Sequence, residues 1–561
     1  MEFVNVINKK SNVLILGFGI FFVTAAALFI VSLNHIYAQT VTQVKAFPEA
    51  EGFGAYTVGG RGGKVYEITN TNDSGAGSLR DCVADVNNYG ARICIFKIGG
   101  LISLNSPLTI TKPYITIAGQ TAPGGGITIK LGAATEGFST QTHDVIIRYI
   151  TVRSGPGGEN HTNQIAKNGV ELYNIIVDHN SLSWGVDSNI ETWYRVKDST
   201  IQWSVISEGL NCSTHSKGCH SKGIMIGGYK GSESGISPGS ENISVLNNLM
   251  ASNVDRNPLI QMCGVAQVIN NVTYNAGVAF SHQQLNCKGT GYEGTSYVNW
   301  INNYHKKGPA GSNTDLKIIP SDGGVCSSGK VYMNGNVGNN GAWSYSFSGS
   351  CDAVKANILT TVPAPAPTVI STNANDAYNN TLAEGGAGNS KALNCDGNWY
   401  NRRDSIDARV INNVINGTGS IINSPTDVGG WITPTGGTAC VDSDHDGMPD
   451  TWEVSHGLNP NNVADGAQIA SGGYTNLEIY LNGSVQTNGT PVPTVTPTTP
   501  TPTPVVKPGD ANGDDLVNEI DYAIWLSHYG QTISGITNGD FNGDGHVDGI
   551  DYTIWLGNYG K

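Results

Sequence analysis

From about residue 46 to 440 the apolar residues fall in short β-branched runs, each closed by glycine or asparagine. The first are Tyr114-Ile-Thr-Ile-Ala118, Val145-Ile-Ile-Arg-Tyr-Ile-Thr-Val152, Asn174-Ile-Ile-Val-Asp178 and Thr200-Ile-Gln-Trp-Ser-Val-Ile206. Ser244-Val-Leu-Asn-Asn248, Gln267-Val-Ile-Asn-Asn271, Val298-Asn-Trp-Ile-Asn-Asn303, Lys330-Val-Tyr-Met-Asn334 and Arg409-Val-Ile-Asn-Asn413 follow. Long stretches with a helical period are missing outside the two ends of the chain. Many runs start about 23–32 residues apart, the period of a repeat architecture in which one coil holds three short strands. A β-sandwich would space its strands about 8–12 residues apart. The recurring Asn-Asn after an aliphatic pair favours stacked coils, with aliphatic side chains inside and asparagines in register at the turns. The pattern therefore predicts an all-β fold, a parallel β-helix, over residues 46–440.

Both ends break this pattern. Lys9 and Lys10 precede an uncharged apolar run from Val13 to Leu33, then Ile36-Tyr37-Ala38 before Gln39. Residues 1–38 read as a cleaved signal peptide or as a membrane anchor, and both readings imply export to the cell surface or beyond. Residues 441–482 are acidic and end in Gly472-Gly-Tyr-Thr-Asn-Leu-Glu-Ile-Tyr-Leu481, which predicts a short helix. Residues 490–506 alternate proline and threonine, a semi-rigid linker with a reach of roughly 50 Å at about 3.1 Å per residue. Residues 508–561 repeat internally at an offset of thirty.

Charged residues make up 14% of the 561, and glycine, at 73, is nearly twice as frequent as usual; both suit a turn-rich strand protein. The net charge of −14 excludes a general nucleic-acid binder. A polyanion site would need a local cluster of basic groups or metal. All ten cysteines lie between Cys82 and Cys440, which fits an oxidising compartment. Neighbours in sequence suggest the bridges Cys82–Cys94, Cys212–Cys219, Cys263–Cys287, Cys326–Cys351 and Cys395–Cys440. Zinc is the rival use of these cysteines, but no paired CxxC or HxxxH spacing supports it.

Much of the acid sits in loops with calcium spacing. A twelve-residue loop offers oxygens to Ca²⁺ from positions 1, 3, 5, 7, 9 and 12. Asp510, Asn512, Asp514, Asn518 and Asp521 occupy such positions, and Asp540, Asn542, Asp544, Asp548 and Asp551 repeat them. The near-copies Tyr522-Ala-Ile-Trp-Leu526 and Tyr552-Thr-Ile-Trp-Leu556 follow the two loops. This duplicated loop–helix resembles the type I dockerin module, which implies docking to a cohesin domain on a scaffold or surface protein. A third loop, Asp442, Asp444, Asp446, Asp450 and Glu453, has the same spacing and is expected to clip the end of the β-helix.

The opening Ala46-Phe-Pro-Glu-Ala-Glu-Gly-Phe-Gly and the segment Asn72-Asp-Ser-Gly-Ala-Gly-Ser-Leu-Arg80 carry a second resemblance. With Ile115-Thr-Ile-Ala-Gly-Gln-Thr-Ala-Pro123, Val177-Asp178-His179 and the acidic loop, they resemble a bacterial pectate lyase family. That resemblance implies a right-handed parallel β-helix, a monomeric catalytic domain and cleavage of polygalacturonate or pectin by calcium-assisted β-elimination. The base in that family is an arginine in an Arg-X-Pro-Arg context. Here Arg256-Asn-Pro-Leu259 supplies the first arginine and places Leu259 at the second. An arginine base, with its ordinary pKa above about 12, implies activity rising into the alkaline range. The resemblance marks Asp187, then Asp178, and more weakly Glu159 as calcium ligands, although an Asp at a coil turn often only caps backbone N–H groups. The doubled His215-Ser-Lys217-Gly-Cys-His220-Ser-Lys222-Gly offers lysines for uronate carboxylates, or simply a solvated loop. Another β-helix polysaccharide lyase or hydrolase, for example one acting on alginate, and a non-catalytic carbohydrate-binding β-helix are the alternatives. A hydrolase would carry paired carboxylates, and no Asp-Asp pair of that kind is present.

Overall fold

The computed structural model describes residues 43–560, apart from 133, 135, 228–239, 279–280, 286–287, 290–291, 294, 321–328, 484–506 and 513–515. The N-terminal apolar run, the proline–threonine linker, Cys287, Cys326 and Asp514 thus lie outside the described residues. Among the described residues no helix is long and apolar enough to cross a membrane. The chain divides into two units, residues 1–486 and 487–561.

In the first unit the β-branched runs stack as parallel ladders. One runs through Lys64–Ile68, Arg92–Phe96, Ile115–Ala118, Val145–Arg148, the C-terminal halves of Asn163–Asp178 and Ser188–Gln202, then Glu241–Leu246, Gly264–Ile269, Ser296–Ile301 and Gly329–Asn334. A second takes the N-terminal halves of the same two long strands, flanked by Phe138–Thr140 on one side and Lys222–Gly227, Leu259–Gln261, Ser281–Leu285 and Leu316–Pro320 on the other. The third runs from Gly100–Leu104 through Thr151–Arg153, Ser181–Ser183 and Val205–Ser207 to Tyr304–Lys306. This is a parallel β-helix, as the repeats predict.

The period of two puts alternate side chains inside. In the first ladder Ile117, Ile147, Val177, Ile201, Val245, Val268 and Trp300 occupy one register and are all buried in the core. Each such side chain contributes about 1.5–3 kcal/mol by burial. The paired asparagines divide two tasks. Asn247, Asn270 and Asn302 take the left-handed conformation that turns the chain, at φ 55, 57 and 51°. Asn248, Asn271 and Asn303 form a buried ladder in which each donates to the next one's carboxamide oxygen, at 3.0 and 3.1 Å.

Arg409–Asn413 departs from the strand pattern. It lies in the α-helix Ser405–Asn416, started by Asp404, which accepts the N–H groups of Ile406 and Asp407, and ended by Gly417 at φ 71°. Ile406, Val410, Ile411 and Val414 form its buried stripe, so the helical period overrides the Val-Ile-Asn-Asn likeness. A second helix, Ala374–Leu382, likewise interrupts a stretch expected to be all strand. The bridges Cys82–Cys94, Cys212–Cys219 and Cys395–Cys440 form, and Cys263 and Cys351 are also disulfide-bonded. The acidic segment folds back on the N-terminal coils. Met448, Trp452, Leu477, Tyr480 and Leu481 cover Ile93, Ile95 and Ala118 on the outside of the strands. The expected short helix spans Asn476–Asn482.

In the second unit the helices Glu519–His528 and Gly549–Asn558 relate as a near-copy pair. The Trp525 indole donates to Asp548 O and the Trp555 indole to Asn518 O, at 3.0 and 2.9 Å.

Candidate active site and calcium loops

The core parity of the second ladder decides what faces out. Ile165, Ile190, Ile224 and Ile260 point inward, so Gln164, Glu191, Met225, Leu259 and Gln261 must point outward. There they line a cleft of about 760 Å³ together with His161, Lys167, Asp187, Trp193, Tyr194, Lys217 and Arg256. Arg256 reaches this cleft from a coil turn with φ 60°. Its N–H donates to Asp255 Oδ1 at 2.9 Å, and Asp255 also binds Lys222 Nζ at 2.8 Å and His282 Nδ1 at 2.9 Å. Burial would raise the Asp255 carboxyl, but His282 and Lys222 hold it well below the usual range. Gly223 lets the neighbouring coil approach this turn, since a Cβ there would stand 2.7 Å from Arg256 O.

Asp187 sits beside Arg256, with Oδ1 3.7 Å from Nη1. It also meets His220 Nε2 at 3.0 Å, His215 Nε2 at 3.4 Å and His161 Nε2 at 3.7 Å. Its burial would raise the carboxyl, but the His220 hydrogen bond and the charges of His161 and Arg256 outweigh it and keep it ionised. His161 lies between Glu191, at 3.1 Å, and Glu136, at 3.2 Å. Burial disfavours its charge, yet these carboxylates push it up to about 10, so it is an imidazolium at neutral pH.

The structure brings only some of the expected residues together. Arg256, Asp187 and Lys217 share the cleft. Asp178 is buried elsewhere, bound by Arg148 and Gln202 at 2.8 Å and His179 at 2.9 Å. Glu159 is bound to the Ser216 hydroxyl and N–H on the His-Ser-Lys-Gly loop. Lys222 points its ammonium at Asp255. No motif marks Glu136, His161 or Glu191, and only Glu191 has a sequence signal: it alternates with Ile190 on a strand whose aliphatic face is inside.

The acidic loop gathers a second set. Asp444, Asp446, Glu453 and Asp465 bring carboxylate oxygens within 4.8 Å of one another. Glu453 is fully buried with neither oxygen hydrogen-bonded, and one oxygen each of Asp442, Asp444, Asp446 and Asp465 is likewise buried without a partner. Burial and mutual repulsion push Asp446 up to about 7 and Glu453 up to about 8. Unpaired buried carboxylates are costly, and an all-oxygen cluster of this kind fits a hard cation such as Ca²⁺. Asp450 is turned to the Ser443 N–H and hydroxyl, both at 2.7 Å, and Asp465, which the spacing did not reveal, joins the cluster. In the second unit the Asp521 and Asp551 carboxylates each accept backbone N–H groups from both ends of their loop. Asp510 and Asp540 are buried at the loop starts.

Against known proteins, the chain is 35% identical over 466 residues to a probable pectate lyase C of Neosartorya fischeri, covering 80% of this chain and 96% of that one. The chain belongs to the pectate lyases. A probable pectate lyase C of Emericella nidulans is also 35% identical, over 463 residues, covering 80% of this chain and 94% of that one. These relatives are fungal, whereas the sequence motifs resembled a bacterial set. Among solved structures, a pectate lyase from Bacillus sp. N165 in complex with trigalacturonate aligns at 16% identity, covering 60% of this chain and 98% of that one, with a TM-score of 0.41. Residues 508–555 match the dockerin type I domain. This pectate lyase is thus a polysaccharide lyase on a β-helix, with a dockerin domain at its residues 508–555.

Proposed function

We propose that the cleft cleaves polygalacturonate by calcium-assisted β-elimination, with Arg256 as the base. The carrying observation is the Arg256–Asp187 pair, 3.7 Å apart in the outer cleft of the β-helix. Elimination takes the proton from C5 of a uronate, breaks the C4–O bond and leaves a C4–C5 double bond; the departing oxygen takes up a proton. Arg256 receives the C5 proton in its neutral guanidine form, which alkaline pH favours, and the Asp255 carboxylate with Lys222 and His282 fixes the turn that carries it. Asp187 and Glu191 supply the carboxylate oxygens of the cleft for a cation shared with the substrate. Calcium there would draw charge from the uronate carboxylate and so acidify C5. Lys217 and Lys167, on the cleft wall, suit uronate carboxylates, and Trp193 offers a sugar-stacking face.

Calcium also belongs, on this reading, in the acidic loop and in the two dockerin loops. The exported enzyme then docks to a cohesin partner through residues 508–561. Ultraviolet absorbance of unsaturated uronide, released from polygalacturonate with calcium and not with EDTA, tests the reading. Product without the double bond would identify a hydrolase, and turnover of alginate alone would move the substrate class.

A further inference from the structure

The geometry points to a transition-metal site made by Asp187, His215 and His220 in the wall of the catalytic cleft. A hard Ca²⁺ seeks oxygen, yet the groups closest to Asp187 are imidazole nitrogens. His220 Nε2 faces Asp187 Oδ1 at 3.0 Å and His215 Nε2 faces Oδ2 at 3.4 Å, with the two rings 4.0 Å apart. One ligand atom from each of the three residues falls within a common 4.8 Å. Bond lengths of about 2.0–2.2 Å to tetrahedral zinc place neighbouring ligand atoms about 3.3–3.6 Å apart, so the His215 contact already has the length of a coordination edge and the His220 contact needs to open by only about 0.3 Å. Two imidazoles and a carboxylate suit Zn²⁺, Co²⁺, Ni²⁺ or Cu²⁺.

The scaffold is built for it. The loop carrying His215 is closed by the Cys212–Cys219 bridge, with His220 directly after it, and the segment is tied to its surroundings by His220 N–H to Asn211 O at 2.8 Å, Cys212 N–H to Asn423 Oδ1 at 2.9 Å and Thr214 Oγ1 to Gly158 O at 2.9 Å. The His215 side chain is fully buried, whereas Asp187 remains open to the cleft, which leaves a coordination position for water. Metal-bound histidines hand their second N–H to a neighbouring acceptor. His215 Nδ1 accepts the Lys217 N–H at 3.0 Å, so an ion on Nε2 requires that hydrogen bond to open before Nδ1 can carry the ring proton toward the Glu159 carboxylate, 3.7 Å away.

The functional consequence rests on the proposed role of Asp187. A transition metal on the two histidines takes the carboxylate that the calcium-assisted reaction needs, so the site is an inhibitory switch. The test uses the full chain, with calcium in excess to occupy the all-oxygen loops. Zinc or cobalt alone is then titrated into wild type, His215→Gln, His220→Gln and Glu159→Gln. We expect one zinc equivalent, and a cobalt visible spectrum of nitrogen and oxygen ligation, lost in both histidine variants. Glu159→Gln, whose carboxylate lies beyond hydrogen-bond distance of His215 Nδ1, should leave the zinc equivalent in place. Equal zinc stoichiometry and affinity in wild type and His220→Gln overturn the site, and circular dichroism checks that the variants are folded. Zinc that binds the histidines but leaves lyase activity untouched overturns the inhibitory switch and the calcium role given to Asp187, while the metal site stands. Zinc inhibition that calcium relieves, absent in the histidine variants, supports both.

Discussion

Arg256 owes its place to a turn rather than to a strand. Its backbone takes φ 60°, where side chains other than glycine and asparagine are uncommon, and Asp255 accepts its N–H. The guanidinium thereby faces Asp187 instead of solvent. Arg256→Ala and Arg256→Lys should each lower the rate on polygalacturonate by at least about 10²–10⁴-fold, the usual share of a general base, with an unchanged melting curve. Lysine keeps the charge but not the planar fork, so it should not rescue. Wild-type turnover in Arg256→Ala would move the base elsewhere. Asp187→Ala should lose activity that excess calcium partly restores; a loss indifferent to calcium would remove Asp187 from the cation site. Arg256 was legible because Arg-Asn-Pro is a local signal. Glu136, His161 and Glu191 were not, because their convergence arises only when coils about a turn of the helix apart are stacked, as in the His161–Glu136 contact across 25 residues.

At the scale of elements, the coils were legible through their period and their asparagines, while the Ser405–Asn416 helix was hidden by a strand-like Val-Ile-Asn-Asn. What decides it is Asp404 at one end and Gly417 at the other, signals that carry weight only when read together. The acidic loop was legible as a calcium sequence, but not its fourth acid, because Asp465 arrives from a separate turn. This loop makes a pH prediction. With calcium chelated, Asp446 and Glu453 titrate near 7 and 8 in the fold but near 4 when unfolded, so between those limits the native state holds protons that the unfolded chain has lost. Stability in EDTA must therefore fall as pH rises from about 5 to 8. Calcium should remove this slope, and Glu453→Gln should flatten it without metal. Melting temperatures by calorimetry decide the matter: parallel curves with and without calcium would show that the loop binds none.

At the scale of the whole molecule, the chain divides into two units with different demands. The β-helix has a continuous aliphatic core and structural disulfides, so removing residues 490–561 should leave its melting temperature and its turnover of soluble polygalacturonate nearly unchanged while abolishing cohesin attachment. A truncated enzyme that loses either property would show that the units depend on each other. The second unit has little to hold it. Its buried apolar set is small, centred on Val517, Trp525, Val547 and Trp555, and chains of this size usually need a metal or disulfides to fold, whereas all ten cysteines lie in the first unit. Its buried acids stand at the loop starts, Asp510 and Asp540, and in the first helical turns, Asp521 and Asp551. Asp521 accepts the Ala511 and Asn518 N–H groups at 2.8 Å, and Asp551 those of Phe541 and Asp548 at 2.8 and 2.9 Å, so each carboxylate ties a loop to the start of a helix. A cation at those loops would bind only when both ends are in place, and its binding energy would become folding energy. Residues 507–561 alone should therefore show little helix by circular dichroism in EDTA and gain it on calcium addition, with Asp521→Ala and Asp551→Ala each raising the calcium needed. A helical spectrum in EDTA that calcium leaves unchanged would mean that the aromatic cluster of Tyr522, Trp525, Tyr552 and Trp555 suffices to fold the unit without metal.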